Sequence, residues 1–146
     1  MNKFYISVGQ SVTFSKTVSE SDVYLFAGIT GDLAPVHVNA ALMEQSAFGQ
    51  RIAHGALIVG FMSTLSSLMV EKAEDSHSKG ETPVSLGYDR VRFVGPVFFG
   101  DTVTLTYTIT DVDEERRRTT AEIEAKNQNG DTVAVATHIL KWVTKN

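Results

Sequence analysis

The sequence predicts an α+β domain in which a curved antiparallel sheet wraps one long helix. Three observations predict it: a stretch over 52–70 in which twelve of nineteen residues are apolar, two-residue alternation through the second half, and shorter helical signals confined to the first half. The long helix needs cover from the rest of the domain, and each alternating strand needs one buried face. Wrapping the sheet around the helix meets both needs.

Taken in order, residues 11–18 are a first strand candidate able to join the sheet. Residues 21–28 read as a short helix: Ser19 or Ser21 can cap it, Val23, Phe26 and Ala27 recur at helical spacing, and Gly31 breaks it. Pro35 disfavours helical geometry at Ala34, so 32–37 is expected to be loop. Asn39 can cap a helix over 40–47 that Gly49 ends. The long helix is expected to start near 52–55 and run to about residue 71, with 75–80 as a polar connector.

Strands are expected at 84–94, 102–112, 119–126 and 132–143. Val103, Leu105, Tyr107 and Ile109 share one face, with Thr102, Thr104, Thr106 and Thr108 on the other, which marks a half-buried strand. Asn129-Gly130-Asp131 is a hairpin signal between the last two strands, and Gly95-Pro96 and Gly100-Asp101 punctuate the earlier connection. Antiparallel pairing follows.

A chain of 146 residues with 42% apolar and 21% charged content suits one domain, 1–146. The absence of cysteine excludes a disulfide framework, a thiolate nucleophile and a sulfur-ligated metal site, and it suits the cytoplasm. Net charge is −4, and the basic run Arg116-Arg117-Arg118 follows Asp111, Asp113, Glu114 and Glu115, which cancel much of its field. Nucleic acid is therefore not an expected partner. The N-terminal residues 1–9 carry no long apolar core, so no signal peptide is expected. His54, Ser63, Thr64, Ser66 and Ser67 interrupt the apolar stretch, which argues against a membrane span. No internal repeat is visible.

Candidate chemistry centres on Asp32 and His37 within Gly31-Asp32-Leu33-Ala34-Pro35-Val36-His37, followed closely by Ile52-Ala53-His54-Gly55. Carboxylate and imidazole are the side chains best suited to moving protons near neutral pH. The plainer alternatives are a turn aspartate and a solvated histidine. His54 reads as a structural histidine near a helix start. Asp32, His37 and His54 have metal-ligating chemistry, but nothing in the sequence requires an ion and none is assigned. His77 and His138 read as ordinary loop and strand residues, and the arginine run as a solvated strand edge.

Several phrases together carry a family resemblance: Tyr24-Leu25-Phe26-Ala27, Gly31-Asp32, Pro35, His37, Ala47-Phe48-Gly49, Ile52-Ala53-His54-Gly55-Ala56-Leu57, Ser63, and 91–101 ending in Gly100-Asp101. Covering most of the chain in order and spacing, this set resembles the MaoC-like dehydratase family, specifically the single-hot-dog (R)-specific enoyl-CoA hydratases. The resemblance implies a hot-dog fold and a cofactor-free lyase that interconverts trans-2-enoyl-CoA and (R)-3-hydroxyacyl-CoA in fatty acid metabolism. It implies a water held by Asp32 and His37, with Asp32 taking its proton as the oxygen attacks C3 and His37 orienting it and relaying a proton toward C2. Its N–H at a helix start makes Gly55 the expected oxyanion donor, since such an N–H lacks an intrahelical acceptor and gains from the helix dipole. Ser63 matches a polar position that lines or supports the site. Arg90 and Arg92 could meet CoA phosphates. The partners implied are an acyl-CoA thioester and a second copy of the chain, as a homodimer or larger homo-oligomer; strand edges that need protection agree.

Two positions depart from the family phrase. Ala34 stands where asparagine is usual, which predicts a wider acyl pocket, altered water positioning or a different substrate; Ala34 and His54 are thus candidate pocket-shaping residues. Asn39 stands where aspartate is frequent and keeps the capping function. The alternatives to a straight-chain enoyl-CoA hydratase are a dehydratase for branched, dicarboxylic or carrier-protein-linked thioesters and a non-catalytic module that binds acyl-CoA or a partner chain.

Overall fold

A computed structural model describes residues 4–73 and 75–145; residues 1–3 of the N-terminal segment lie outside them. The strands β1 (Ser11–Thr17), β2 (Glu81–Phe93), β3 (Thr102–Asp113), β4 (Arg118–Lys126) and β5 (Thr132–Thr144) form a five-stranded sheet in the order β1-β3-β4-β5-β2. Every pairing is antiparallel, with Val12 opposite Tyr107 and Ile123 opposite Ala136. The early strand joins the sheet as expected. The β2–β5 ladder shifts register between Ser85 and Gly87 and again between Asp89 and Arg92, and Gly87 and Arg90 take positive φ there. Such bulges bend an edge strand.

The helices are α1 (Glu20–Thr30), α2 (Pro35–Val38), α3 (Ala40–Glu44) and α4 (Gly55–Lys72), and a 3-10 turn, His77–Lys79, precedes β2. Ser19 caps α1 in a full capping box: its hydroxyl accepts from the Asp22 N–H and the Asp22 carboxylate accepts from the Ser19 N–H. Gly31 ends α1 in the left-handed conformation, φ 81.

Two local expectations need correction. Residues 35–38 are a helical turn, not loop: proline restricts the residue before it, and Ala34 is indeed non-helical at φ −56 and ψ 138, but Pro35 itself occupies a first helical position. The helix after Asn39 stops at Glu44, not near 47, because the Ser46 hydroxyl donates to the Met43 carbonyl, 2.6 Å, and closes the helix end early. Asn39 does cap it, accepting from the Leu42 N–H at 3.0 Å.

The sheet covers one side of α4. Ile58, Phe61, Met62, Leu65 and Met69 repeat at helical spacing and are buried against the inward residues Val103, Leu105, Tyr107 and Ile109 of β3 and Ala134, Ala136, Leu140 and Trp142 of β5. Ala56, Gly60, Ser63 and Ser67 lie exposed on the other side, so α4 is covered on one face and not all round. Among the described residues, no helix is long and apolar enough to cross a membrane.

The arginine run is more than a solvated edge. Arg117, at φ 55, donates through Nε to Glu81 Oε1 at 2.8 Å and also bonds Glu81 Oε2, which accepts from the Tyr5 hydroxyl. Its guanidinium lies 4.7 Å from the Phe4 ring centroid. Arg117 beside the buried Glu81 carboxylate holds it below the usual carboxylate range, against the effect of burial. This cluster ties the N-terminal segment to the start of β2.

Candidate active site

The chain between α1 and α4 lies over the start of α4 and brings Asp32, His37 and His54 together. Gly31 ends α1, and Asp32 follows with its N–H bonded to the Thr30 hydroxyl at 3.2 Å. Asp32 Oδ1 accepts from the Ala34 N–H, 3.3 Å, a short turn that Pro35 then continues into α2. His37, on α2, is held by a 2.8 Å bond from Nδ1 to the Ile52 carbonyl. A carbonyl only accepts, so Nδ1 carries the proton, and in the neutral ring Nε2 presents a lone pair.

That lone pair faces Asp32. His37 Nε2 and Asp32 Oδ2 are 4.0 Å apart, with the Asp32 side chain 53% exposed and that of His37 12% exposed. The separation is too long for a hydrogen bond, yet one oxygen about 2.8 Å from each atom can donate to both. Two acceptors placed in this way can take both protons of one water and leave its oxygen lone pairs directed elsewhere.

His54 is the residue before α4, and its side chain is 2% exposed. Its Nε2 donates to the Asp32 carbonyl at 2.9 Å, and its ring stacks on His37 with centroids 3.6 Å apart and planes 25° apart. Phe26 of α1 packs against it at 4.7 Å. Ligand-type atoms of Asp32, His37 and His54 all lie within 4.8 Å of one another. The trio does not offer three donors to a cation, however, because His54 Nε2 carries the proton it gives to Asp32. A metal needs that lone pair.

Gly55 is the first residue of α4, where a backbone N–H has no intrahelical acceptor. It lines a cavity of about 180 Å³ together with His37, Ile52, Ile58, Phe93 and Val133. A Cβ at this position would lie 2.6 Å from Phe93 ring carbons, so any larger residue here displaces that ring. Phe93 ends β2 and is 55% exposed, forming a wall of the cavity at its outer side.

Ser63 lies elsewhere. Eight residues along α4 from Gly55 corresponds to about 12 Å, and Ser63 lines a second, more polar groove with Glu71, His77, Ser85 and Leu140. It neighbours the Tyr88 phenol, whose pKa burial raises and the Ser63 hydroxyl partly lowers. Ala34 is half-buried, and its N–H holds Asp32 Oδ1. The role of Phe93 has no counterpart in the sequence reading, because a contact between residues 55 and 93 leaves no local signal.

His138 is not an ordinary strand residue. It is fully buried, with Nδ1 2.8 Å from the Tyr107 hydroxyl and Nε2 2.7 Å from Ser85 Oγ. Burial pushes its pKa down to about 4, so the ring is neutral at pH 7. The two-residue alternation of β5, with Ala134, Ala136, Leu140 and Trp142 inside, places His138 on the buried face and is the signal that could reveal it.

Comparison with known proteins agrees with this architecture. The chain is 38% identical over 125 residues to an (R)-specific enoyl-CoA hydratase from Rhodospirillum rubrum, spanning 83% of this chain and 81% of that protein. It is 31% identical to a 3-hydroxybutyryl-CoA dehydratase from Methylorubrum extorquens over 140 residues, 96% of this chain and 82% of that protein. Its structure is similar to that of an (R)-hydratase from A. caviae involved in PHA biosynthesis, with a TM-score of 0.80, 27% identity, and coverage of 93% and 96% of the two chains. The fold of sheet and α4 is the hot-dog fold. A family model described as MaoC like domain matches residues 3–132, and the chain belongs to that family.

Proposed function

We propose that this protein is a cofactor-free hydratase and dehydratase, a carbon-oxygen lyase that interconverts trans-2-enoyl-CoA and (R)-3-hydroxyacyl-CoA. The observation that carries the reading is the pair of acceptors, Asp32 Oδ2 and His37 Nε2, 4.0 Å apart beside a cavity that Gly55 and His37 both line. A hydratase needs a water held by acceptors and a donor for the thioester oxygen, and these residues supply both.

In the hydration direction, Asp32 and His37 hold one water through its two protons. As its oxygen bonds to C3 of the enoyl thioester, a proton passes to Asp32. The C2–C3 π electrons move toward the thioester carbonyl, and the developing enolate oxygen is held by the Gly55 N–H, where the dipole of α4 adds positive potential. Collapse of the enolate with a proton delivered to C2 through the Asp32 and His37 pair completes the addition. Dehydration is the reverse: the pair removes the C2 proton, hydroxide leaves C3 as water, and the double bond forms.

The largely apolar cavity suits the reacting end of an acyl chain, and Ala34 leaves more room beside the pair than a larger side chain does. Arg90 and Arg92, exposed on β2 just before Phe93, suit contact with CoA phosphates. Ser63 opens on its separate groove and takes no step in this reaction. A homodimer fits the exposed small side chains of α4 beside edge strand β2, where Val84 and Leu86 are exposed, and the absence of cysteine suits work in the cytoplasm. Size-exclusion chromatography with light scattering checks the assembly.

The test of the reaction is loss of enoyl-thioester absorbance when trans-2-butenoyl-CoA is added. Turnover is expected, and Asp32→Asn is expected to lower it by about 10³-fold, within the range for a lost general acid or base. Unchanged turnover in that variant removes Asp32 from the mechanism.

A further inference from the structure

We propose that His54 is a positioning residue for the reaction proposed above, holding the Asp32 loop by its ring edge and the His37 imidazole by its ring face. The inference rests on that reading of the site but concerns a residue that need not touch substrate. Its geometry makes two separate demands. The edge demand is a donor at Nε2, which reaches the Asp32 carbonyl at 2.9 Å. The face demand is a flat ring, which stacks on His37 with centroids 3.6 Å apart while Phe26 packs against it at 4.7 Å.

Packing alone does not account for histidine here. Among the described residues, His54 Nδ1 is buried without a hydrogen-bond partner. An unpaired buried acceptor is unfavourable, and phenylalanine would fill the same space without it. Phenylalanine, however, would leave the Asp32 carbonyl without its donor, and glutamine would supply a donor without a stacking face. Histidine meets both demands.

The backbone of His54 points the same way. It occupies the N-cap position of α4 with φ −60 and ψ 132, yet its side chain makes no cap hydrogen bond. A serine or aspartate at an N-cap would bond N–H groups of the first turn. His54 instead turns away toward Asp32 and leaves the start of α4 open beside the cavity. One residue thereby sets three parts of the site in register: the carboxylate loop, the imidazole and the helix start that bears Gly55.

Three variants separate these roles. His54→Ala removes edge and face, His54→Gln keeps a donor, and His54→Phe keeps a ring. Hydration of trans-2-butenoyl-CoA is followed at a temperature well below each variant's Tm, with rates referred to folded protein. His54→Ala is expected to lower kcat on the order of 10²-fold, as for a misplaced catalytic group, with KM within about threefold of the parent. Gln and Phe are each expected to recover part of that loss, roughly tenfold. A His54→Ala protein that keeps kcat within about threefold of the parent while losing Tm overturns the proposal, since that is the mark of a purely structural residue.

An NMR measurement decides the matter without turnover. Long-range nitrogen–proton spectra of the parent should show His37 as a single tautomer protonated at Nδ1, and His54→Ala and His54→Gln should both lose that single state. Unchanged His37 signals in both variants overturn the positioning role. Absence of turnover in the parent would instead overturn the reaction assigned above, and the His37 signals would still report on positioning.

Discussion

Two histidine clusters in this molecule use their hydrogen-bonding capacity in opposite ways. In the sheet, His138 is bonded at both ring nitrogens, to Tyr107 and Ser85, and it is fully buried. Over the start of α4, His37 is bonded at Nδ1 only, and its Nε2 faces a half-exposed carboxylate 4.0 Å away. The first network is closed and can only hold the sheet together. The second has one open acceptor on each partner, which is what a site needs in order to hold a water. Burial of histidine does not distinguish a site from a scaffold; an unspent lone pair next to a cavity does.

The largest effect should come from removing an open acceptor. His37→Ala should lower kcat for enoyl-CoA hydration by roughly 10²-fold or more, while the midpoint of urea unfolding moves little; a stable and fully active variant would place His37 with the scaffold.

Acid should distinguish the clusters next. His138 has a folded-state pKa of about 4 against an ordinary 6.5, so the unfolded chain binds the extra proton between those values. Stability from this group is complete above pH 6.5 and is lost as pH falls from 6.5 toward 4. A shift of that size corresponds to about 3 kcal/mol. The depressed Glu81 carboxylate acts in the same direction but only at lower pH, because its stabilisation is lost as pH falls below the ordinary carboxylate range and through its own lowered pKa. Urea unfolding followed from pH 7 to pH 4 measures the difference, and His138→Gln should flatten the upper part of that profile.

A smaller effect is expected at the wall of the cavity. Gly55→Ala places a methyl group 2.6 Å from Phe93 ring carbons, so the ring must move. The expected loss in kcat/KM is about tenfold, and Phe93→Ala in the same chain should recover most of it by giving the methyl room. Recovery in the double variant shows that the two residues share one wall; additive losses would show that they do not.

The smallest effect belongs to the closed network. Tyr107→Phe removes one hydrogen bond of His138 and should cost about 1 kcal/mol of stability, with turnover unchanged. A loss of turnover would mean that the sheet network reaches the site.

Legibility in the sequence follows the range of the interactions. A serine cap at 19 or 21, the Gly31 stop, the existence of α4 and the inward face of β3 are local or periodic, so residue order alone reveals them; that Ser19 is the cap and that α4 is covered on just one face emerge from the structure. Asp32, His37 and Gly55 are legible because the chain between α1 and α4 keeps them near one another in sequence as well as in space. Phe93 against Gly55, and Glu81 against Arg117 and Tyr5, join residues from distant strands, which no local pattern reveals. Arg117 looks solvated in the sequence because its neighbours are acidic, while its partner sits at the start of β2. The alternation of β5 marks His138 as inward, and only weighting residue type above period makes it look ordinary. The turn at Pro35 escapes for a related reason: the constraint that proline places on Ala34 does not extend to proline itself.

The proposed reaction depends above all on Asp32 and His37 directing one water to one face of C3. That step is read out by the configuration and oxygen label of the product formed from trans-2-butenoyl-CoA in water enriched in oxygen-18. The expected product is (R)-3-hydroxybutanoyl-CoA carrying the label at the C3 hydroxyl. A product of (S) or mixed configuration, or labelled hydroxyl formed equally fast by Asp32→Asn, would refute the role given to the pair.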